Sequence, residues 1–449
     1  MVAKTVSLIG LLLLSGCSTI SQQEIFDQVK HSSSSHGAKE LQWIKSPEDA
    51  SKVEESVWRL LEKPLQMDDA VRIALINNRA LQQSYAQIGI SQSDLVQAGL
   101  VNNPLLGYSV GRSNGVTKST ISLDIAFLDM LWIPLRRELG KIALEEIQAS
   151  IGNEVLEVVR DTKKAYIELV AIEKKMLYYK DILVSHEASL QLVTRQYTAG
   201  NITKRNLLKI QNSYQHARVE SIEIAKKYAM ARESLNRICG LYGGQTNYTL
   251  DSSLKPIESP PNLSKGLEKI AIASRLDMRA AIAAVDYAAK EAGYTKNTRL
   301  LSELELSIES EKNSNEDRLN SFGIKIPIPI FDFGQARVSK AEALYNQNVH
   351  HLYEKAVVIR SEVREKYALL LHAHTIVHEY DDVIVKINQQ ILEETQLYYN
   401  GMLDGIYELL EDKRHLVDAK IEAVEAYSEF WKAQADLEYA VGGNYNEAR

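Results

Sequence analysis

Residues 67–85 read MDDAVRIALINNRALQQSY, and residues 267–285 read LEKIAIASRLDMRAAIAAV. Both are helical patterns with apolar residues three and four apart. The second restates the first at a displacement of roughly 200 residues, the mark of a repeat architecture. Asp68 and Asp69 open the first helix in its first turn, and the pattern closes at "LVNNP" (100–104), where Asn and Pro stop it.

Both copies lead into the same kind of element. In "LLGYSVG" (105–111), Leu106, Tyr108 and Val110 alternate with Leu105, Gly107, Ser109 and Gly111. After the turn "RSNGV", Ile121, Leu123, Ile125 and Phe127 alternate with Thr120, Ser122, Asp124 and Ala126. Period-two alternation predicts a hairpin with one apolar and one small or polar face. The second copy sets Leu304, Leu306 and Ile308 against Glu303, Glu305, Ser307 and Glu309, then Phe322, Ile324, Ile326, Ile328 and Ile330 against Gly323, Lys325, Pro327 and Pro329. Pro327 and Pro329 share a face and cannot donate. They place that strand at a loosely paired position or where a barrel narrows.

Long helices come next. Val155, Val158, Thr162, Ala165, Leu169, Ile172, Met176, Tyr179, Leu183, His186, Leu190, Val193 and Tyr197 keep a 3,4 spacing without a break. "TAGNIT" (198–203) interrupts the seam. It resumes through Leu207, Ile210, Tyr214, Ala217, Ser221, Ile224, Tyr228, Ala231, Leu235 and Ile238. In the second copy the seam is Val363, Tyr367, Leu370, His374, Val377, Ile384, Ile391 and Tyr398. "YNGMLDG" (399–405) breaks it, and an Ala-rich helix comes after, with Leu409, Leu416, Ala419, Ala423, Ala426, Phe430, Ala433, Leu437 and Ala440. The chain is thus a tandem duplication of helix, hairpin, very long helix and helix.

The start of the chain says where this plan is used. Lys4 precedes an apolar stretch, Val6 to Leu14, too short to span a bilayer but fitting a signal-peptide core. Leu14-Ser15-Gly16-Cys17 resembles the lipobox of bacterial lipoproteins, in which Cys17 becomes the lipidated first residue. Ser18 rather than Asp comes next, which in that resemblance implies outer-membrane export. Residues 18 to about 64, with "HSSSSH", Pro47 and Pro64, read as a tether with little fixed structure. The expected parts are a signal peptide (1–16), a lipid-anchored tether (17–65), a first repeat (66–240), a linker (241–262), a second repeat (263–443) and a tail (444–449).

Several function classes drop out. The net charge of −7 disfavours a broad nucleic-acid surface. The only other cysteine, Cys239, ends an apolar helical pattern and reads as a buried small side chain. No nucleophile–base constellation, phosphate loop or cofactor motif is present, so an enzyme is not expected. Past the signal no apolar run reaches helix-spanning length, and a membrane crossing would fall to the strands. Four strands cannot close a spanning barrel, and lipid forbids open edges. Three copies would supply twelve strands, with the Ile/Leu/Phe face toward lipid.

These features resemble the TolC-like outer-membrane efflux proteins, over about residues 66–443. The most specific stretch is "IPIPIFDFGQARVSKAEALYNQ" (326–347), supported by "QYTAGNIT" (196–203) and "LYYNGMLDG" (397–405). The lipobox puts the chain among that family's lipidated members. The resemblance implies a mainly helical homotrimer: a periplasmic α-barrel of long coiled-coil-like helices, and four strands per protomer completing a 12-stranded outer-membrane β-barrel. It implies a passive exit duct for drugs or metal ions, docked to a periplasmic adaptor and an inner-membrane pump, with no cofactor. A type I secretion duct is the alternative within the family. A poreless coiled-coil lipoprotein spacing the envelope is the alternative of another class.

By the same resemblance the helical turns are docking tips: Ala199, Gly200, Asn201, Ile202 and Thr203, and Asn400, Gly401, Met402, Leu403 and Asp404. Gly200 and Gly401 are the residues expected to carry the positive φ of a tight turn. Gate candidates beyond the second tip are Asp404, Glu408, Glu411 and Asp412, whose carboxylates in triplicate would favour cations. The family's usual gate aspartates stand six and nine positions after the tip glycine. Here those positions hold Tyr407 and Leu410, which leaves an aromatic or apolar gate equally open. His374 and His378 have a chelating spacing, but with no third ligand nearby packing explains His374 more simply.

Overall fold

The computed structural model describes residues 21–34, 36, 38, 40–113, 116–252, 257, 266–300, 304–313 and 317–443. Cys17 and the signal lie outside the described residues, as do most of 253–265 and the tail 444–449. The chain forms two compact units, one from Met1–Val29, Ser84–Ile151 and Leu276–Lys355, the other from Lys30–Gln83, Gly152–Arg275 and Ala356–Arg449.

The first unit holds the sheet. Strands β1 (Leu105–Ser113), β2 (Val116–Ala126), β3 (Glu305–Asn313) and β4 (Leu319–Lys325) lie in the order β1-β2-β3-β4, all antiparallel. The two hairpins, almost two hundred positions apart, therefore pair with each other through β2 and β3. Register sets Leu106, Leu123, Ile308 and Phe322 in one row on one face, and Gly107, Ser122, Glu309 and Ser321 in a row on the other. The apolar row stays solvent-exposed at Leu106, Ile308 and Phe322, the reverse of a soluble sheet, which buries its apolar face. Edges β1 and β4 are both unpaired in the single chain. On the polar face Lys325 meets Asp124 at 2.8 Å and Lys118 meets Glu311 at 2.6 Å.

The sequence pattern extends β4 to Ile330, and here the fold differs. The strand stops at Lys325, and residues 326–330 leave the ladder. Pro327 and Pro329 have no N–H to give a neighbouring strand, so Ile-Pro alternation imitates a strand without being able to pair as one.

The second unit is helical. Helix α5 (Phe127–Thr198) springs directly from β2 and runs for 72 residues, about 108 Å at 1.5 Å per residue. Helix α6 (Lys204–Cys239) returns antiparallel to it, α9 (Gln335–His378) and α10 (Val385–Asn400) descend the second repeat, and α11 (Ile406–Val441) returns. Helices α3 (Met67–Asn77) and α4 (Arg79–Ala98), and α7 (Leu267–Ser274) and α8 (Leu276–Thr298), are the two copies of the opening element. Each copy is bent, not continuous: Asn78 and Arg275 adopt extended ψ of 120° and 132°. The bends serve the duplication, because each receives the end of its repeat's last helix. Asn77 Nδ2 donates to Cys239 O (3.0 Å) and Gly240 O (2.9 Å), and Asn78 Nδ2 to Ile238 O (2.8 Å). Ser274 Oγ donates to Val441 O (2.6 Å) and Arg275 Nη1 to Ala440 O (3.3 Å). These bonds satisfy carbonyls that a helix C-terminus leaves open. Gly240 combines φ +65° with an approach so close that a Cβ would sit 2.6 Å from Asn77 O.

The core gathers Val57, Leu65, Ile73, Leu169, Leu235 and Cys239. Tyr166 anchors it, donating to Leu65 O at 2.9 Å and Asp251 O at 2.8 Å. Helices α5 and α11 are laced by Lys163–Glu438 (2.7 Å), Lys164–Asp436 (2.9 Å), Lys432–Glu168 and Lys175–Glu425.

Two further expectations are corrected. The segment read as an unstructured tether folds into α1 (Gln22–Ser34) and α2 (Pro47–Leu61). Ser46 and Asp49 form a capping box, Pro47 occupies the first turn where its missing N–H costs nothing, and Val53 and Val57 reach the core. The seam through Ile384, Ile391 and Tyr398 is also broken. A π turn, Glu379–Ile384, separates α9 from α10, and Ile391 and Tyr398 face outward. Among the described residues no helix is long and apolar enough to cross a membrane.

Candidate functional site

Two helix-to-helix turns end the long hairpins, and their backbones match residue for residue. In the first, Gly200 takes φ +79° and Asn201 N donates to Gln196 O at 2.9 Å, the long-range bond of a Schellman turn. Thr203 then caps α6, its side chain accepting from Asn206 N at 3.3 Å. In the second, Leu403 N donates to Tyr398 O at 2.9 Å and Gly405 takes the cap position of α11.

The left-handed residue of that second turn is Met402, at φ +60°, and not Gly401, whose φ is −76°. The expectation for Gly401 is therefore corrected by one position: Gly200 corresponds to Met402. A left-handed L-residue costs roughly 1–2 kcal/mol. No packing within the chain offsets this at Met402, because its side chain is 93% exposed and that of Leu403 73%. Strain held by a bare apolar side chain at a loop tip marks a contact made elsewhere. The first tip is more polar: Ala199, Gly200, Asn201 and Thr203 are exposed, and Ile202 folds back on Val193, Ile210 and Leu410.

The gate candidates separate into two groups. Leu410 is buried with Val193 and Ile210, so it holds the helices together and is not free at a surface. Asp412 accepts from Thr395 Oγ1 at 2.6 Å and ties α11 to α10. Asp404, Tyr407, Glu408 and Glu411 are exposed. Lys209 Nζ lies 5.0 Å above the Tyr407 ring, a cation–π contact from α6. Tyr407 and Glu408 line a crevice of about 470 Å³ behind the tips with Gln196, Asn206 and Lys209.

A polar node higher on the same helices is absent from the sequence-based expectations. Arg414 Nη2 donates to Glu220 at 2.6 Å across α11 and α6, and Lys413 donates to Ser185 of α5. Beside them His186 is buried, its Nδ1 without a hydrogen-bond partner. Burial, with Arg414 next, holds its pKa below the ordinary histidine value. The seam contained His186, but seam position alone does not reveal that cations from α11 surround it. His374 and His378 do come together, with ring centroids 4.5 Å apart. His378 Nδ1 meets Asp382 at 3.1 Å, and His374 is depressed by burial and then by His378. Among the described residues no group of three His, Cys, Asp or Glu side chains is placed to hold a metal ion.

The chain matches the model of the family described as "Outer membrane efflux protein" over residues 70–241 and 267–443, the two repeats. Nodulation protein T of Rhizobium leguminosarum bv. trifolii is 22% identical over 416 residues, covering 87% of this chain and 88% of that protein. Among solved structures, the channel CusC superposes with a TM-score of 0.70 at 18% identity, covering 86% of this chain and 94% of that one. The outer membrane channel CmeC of Campylobacter jejuni superposes with a TM-score of 0.71 at 15% identity, covering 84% and 85%. The fold is the TolC-like channel fold, and the chain belongs to the outer membrane efflux protein family, whose members are channels and not enzymes.

Proposed function

We propose that this chain is the outer-membrane exit duct of a tripartite efflux system, lipidated at Cys17 and assembled as a homotrimer. The observation that carries the reading is the pair of exposed tips, one of which holds Met402 in a strained conformation that no contact within the chain offsets. Each copy gives one four-stranded sheet with two open edges, and three close a 12-stranded barrel with Leu106, Ile308 and Phe322 toward lipid. The tips, Ala199–Thr203 and Asn400–Asp404, dock a periplasmic adaptor that joins an inner-membrane pump. Energy comes from the pump, and cargo of the drug or metal-ion class passes through. Asp404, Tyr407, Glu408 and Glu411, exposed beyond the second tip, form the constriction, while Leu410 and Asp412 hold its walls.

The test is the mass and conductance of the protein extracted from outer membranes in mild detergent. A trimer of acylated chains that conducts in planar bilayers supports the duct. A monomer or dimer released once the anchor is removed refutes it and leaves the envelope spacer.

A further inference from the structure

Residues 335–400 contain neither glycine nor proline, yet the helix they form is interrupted once, by the π turn Glu379–Ile384. Val385 N donates to Tyr380 O, five residues back, the bond that defines a π turn. Such a turn adds one residue to the spiral and rotates everything beyond it by about 100° relative to an unbroken α-helix.

The rotation can be read in the burial. Above the turn Ile359, Val363, Leu370, Ala373 and Val377 are buried, a heptad frame that continues through 380, 384, 387, 391, 394 and 398. Below the turn the inward positions are 388, 392, 395 and 399, each one residue late. Polar Asn388 and Thr395 thus face the chain's own helices. Val383, Ile387, Ile391 and Tyr398 are 43–49% exposed, an apolar stripe about 22 Å long at 1.5 Å per residue. Two reciprocal ties to α11 hold this register: Tyr380 OH donates to Glu422 at 3.0 Å, and Tyr427 OH donates to Asp381.

We propose that the π turn is a register device, turning the apolar stripe of α10 away from its own α11 and toward the α5–α6 hairpin of a second copy of this chain. The inference rests on the trimeric duct reading and adds to it the element that shapes the contact near the tips. Charge chooses the occupant. Residues 379–400 carry five Asp/Glu against one Lys, whereas residues 174–239 carry twelve Lys/Arg against five Asp/Glu. That hairpin also has apolar residues left uncovered, Leu177 and Val184 seven apart on α5 and Val219 and Ile222 on α6. Two different complementary surfaces on one chain make a head-to-tail contact, which closes into a ring.

The test uses the full chain in detergent. Thr395 and Asp412 touch in the observed register, so Thr395→Cys/Asp412→Cys is expected to cross-link within the chain on oxidation. Deleting Asp382 from the π turn, in that double variant, is expected to abolish the cross-link and lower the trimer fraction at least tenfold. A cross-link that survives the deletion overturns the register claim. A lost cross-link with an undiminished trimer overturns the second-copy claim. Should the deletion prevent folding, Ile391→Arg with the turn intact decides: the intrachain cross-link must persist while the trimer is lost, and a stable trimer overturns the proposal. A parent chain that is monomeric but still cross-links would instead refute the duct reading and leave the register assignment standing.

Discussion

Replacing Met402 with glycine separates the two things a tip residue does. A left-handed L-residue is held at a cost of roughly 1–2 kcal/mol, and glycine removes that strain. Against this, glycine gains freedom in the unfolded chain worth roughly 0.5–1 kcal/mol. No packing is lost, because the Met402 side chain is 93% exposed. Met402→Gly is therefore expected to leave the turn as stable as before or tighter by up to about 1 kcal/mol, a margin set by the difference of those two values. Hydrogen exchange of the Leu403 amide, bonded to Tyr398 O at 2.9 Å, reports it directly. Docking should move the other way. A methionine side chain buried by a partner contributes about 1.5–3 kcal/mol, so affinity for the adaptor that co-purifies with the chain should fall by roughly ten- to a hundred-fold. Gly200→Ala is the mirror control. Nothing lies within 4 Å of the added Cβ, so any loss there is backbone strain alone, about 1–2 kcal/mol. Faster Leu403 exchange in Met402→Gly would refute the strain argument, and unchanged adaptor affinity would refute the docking role.

Ile308→Arg puts a charge in the exposed apolar row of the sheet, at about 2–4 kcal/mol near a bilayer midplane, and should sharply reduce the fraction inserted in outer membranes, whereas Glu309→Gln on the opposite face should insert normally; equal behaviour would refute the facing. Arg275→Ala removes a guanidinium that is 5% exposed, leaves Glu362 (2.7 Å) unpaired and frees Ala440 O; a loss of about 3 kcal/mol in denaturant unfolding is expected, and less than about 1 kcal/mol would mean the pair is idle. His186 is held below its ordinary pKa by burial, so below about pH 6.5 the unfolded chain binds a proton that the folded chain resists. Stability should be full above that pH and fall as the solution is acidified, with His374 adding in the same sense, and His186→Gln should flatten part of the fall in urea midpoints between about pH 7.5 and 5.5.

Periodicity was legible wherever one residue type had to repeat to meet one surface. The strands and the α5, α6 and α11 seams lie where their alternation puts them, because burial of a face is a property summed over many side chains. The misplaced features depend on single backbone choices. Met402 and Gly401 are neighbours, and composition favours the glycine, but the hydrogen bond from Leu403 N fixes which residue must turn left-handed. The π turn carries no breaker, so nothing local announces it; only the change from Ile391 to Asn388 and Thr395 as inward residues does. The amino-terminal helices were recoverable: Ser46-Pro47-Glu48-Asp49 is a capping signature, and its proline belongs to a helix start as readily as to a linker.

The duplication explains both what the repeats share and where they part. Each repeat caps its own last helix at its own bend, Asn77–Asn78 for α6 and Ser274–Arg275 for α11, so each is locally complete. The departures from ideal backbone do not divide evenly. In the first repeat α5 runs unbroken to a glycine tip, whereas in the second the corresponding path contains the π turn and then a left-handed methionine. Identical halves would pack symmetrically and leave no reason to store strain in one of them. Since neither feature is offset by contacts within the chain, selection for folding alone would have replaced Met402 with glycine and dropped one residue from the π turn. Their joint presence in the descending helix of the second repeat assigns that hairpin the contacts that lie outside the chain, with the first repeat as the straight frame against which it is set.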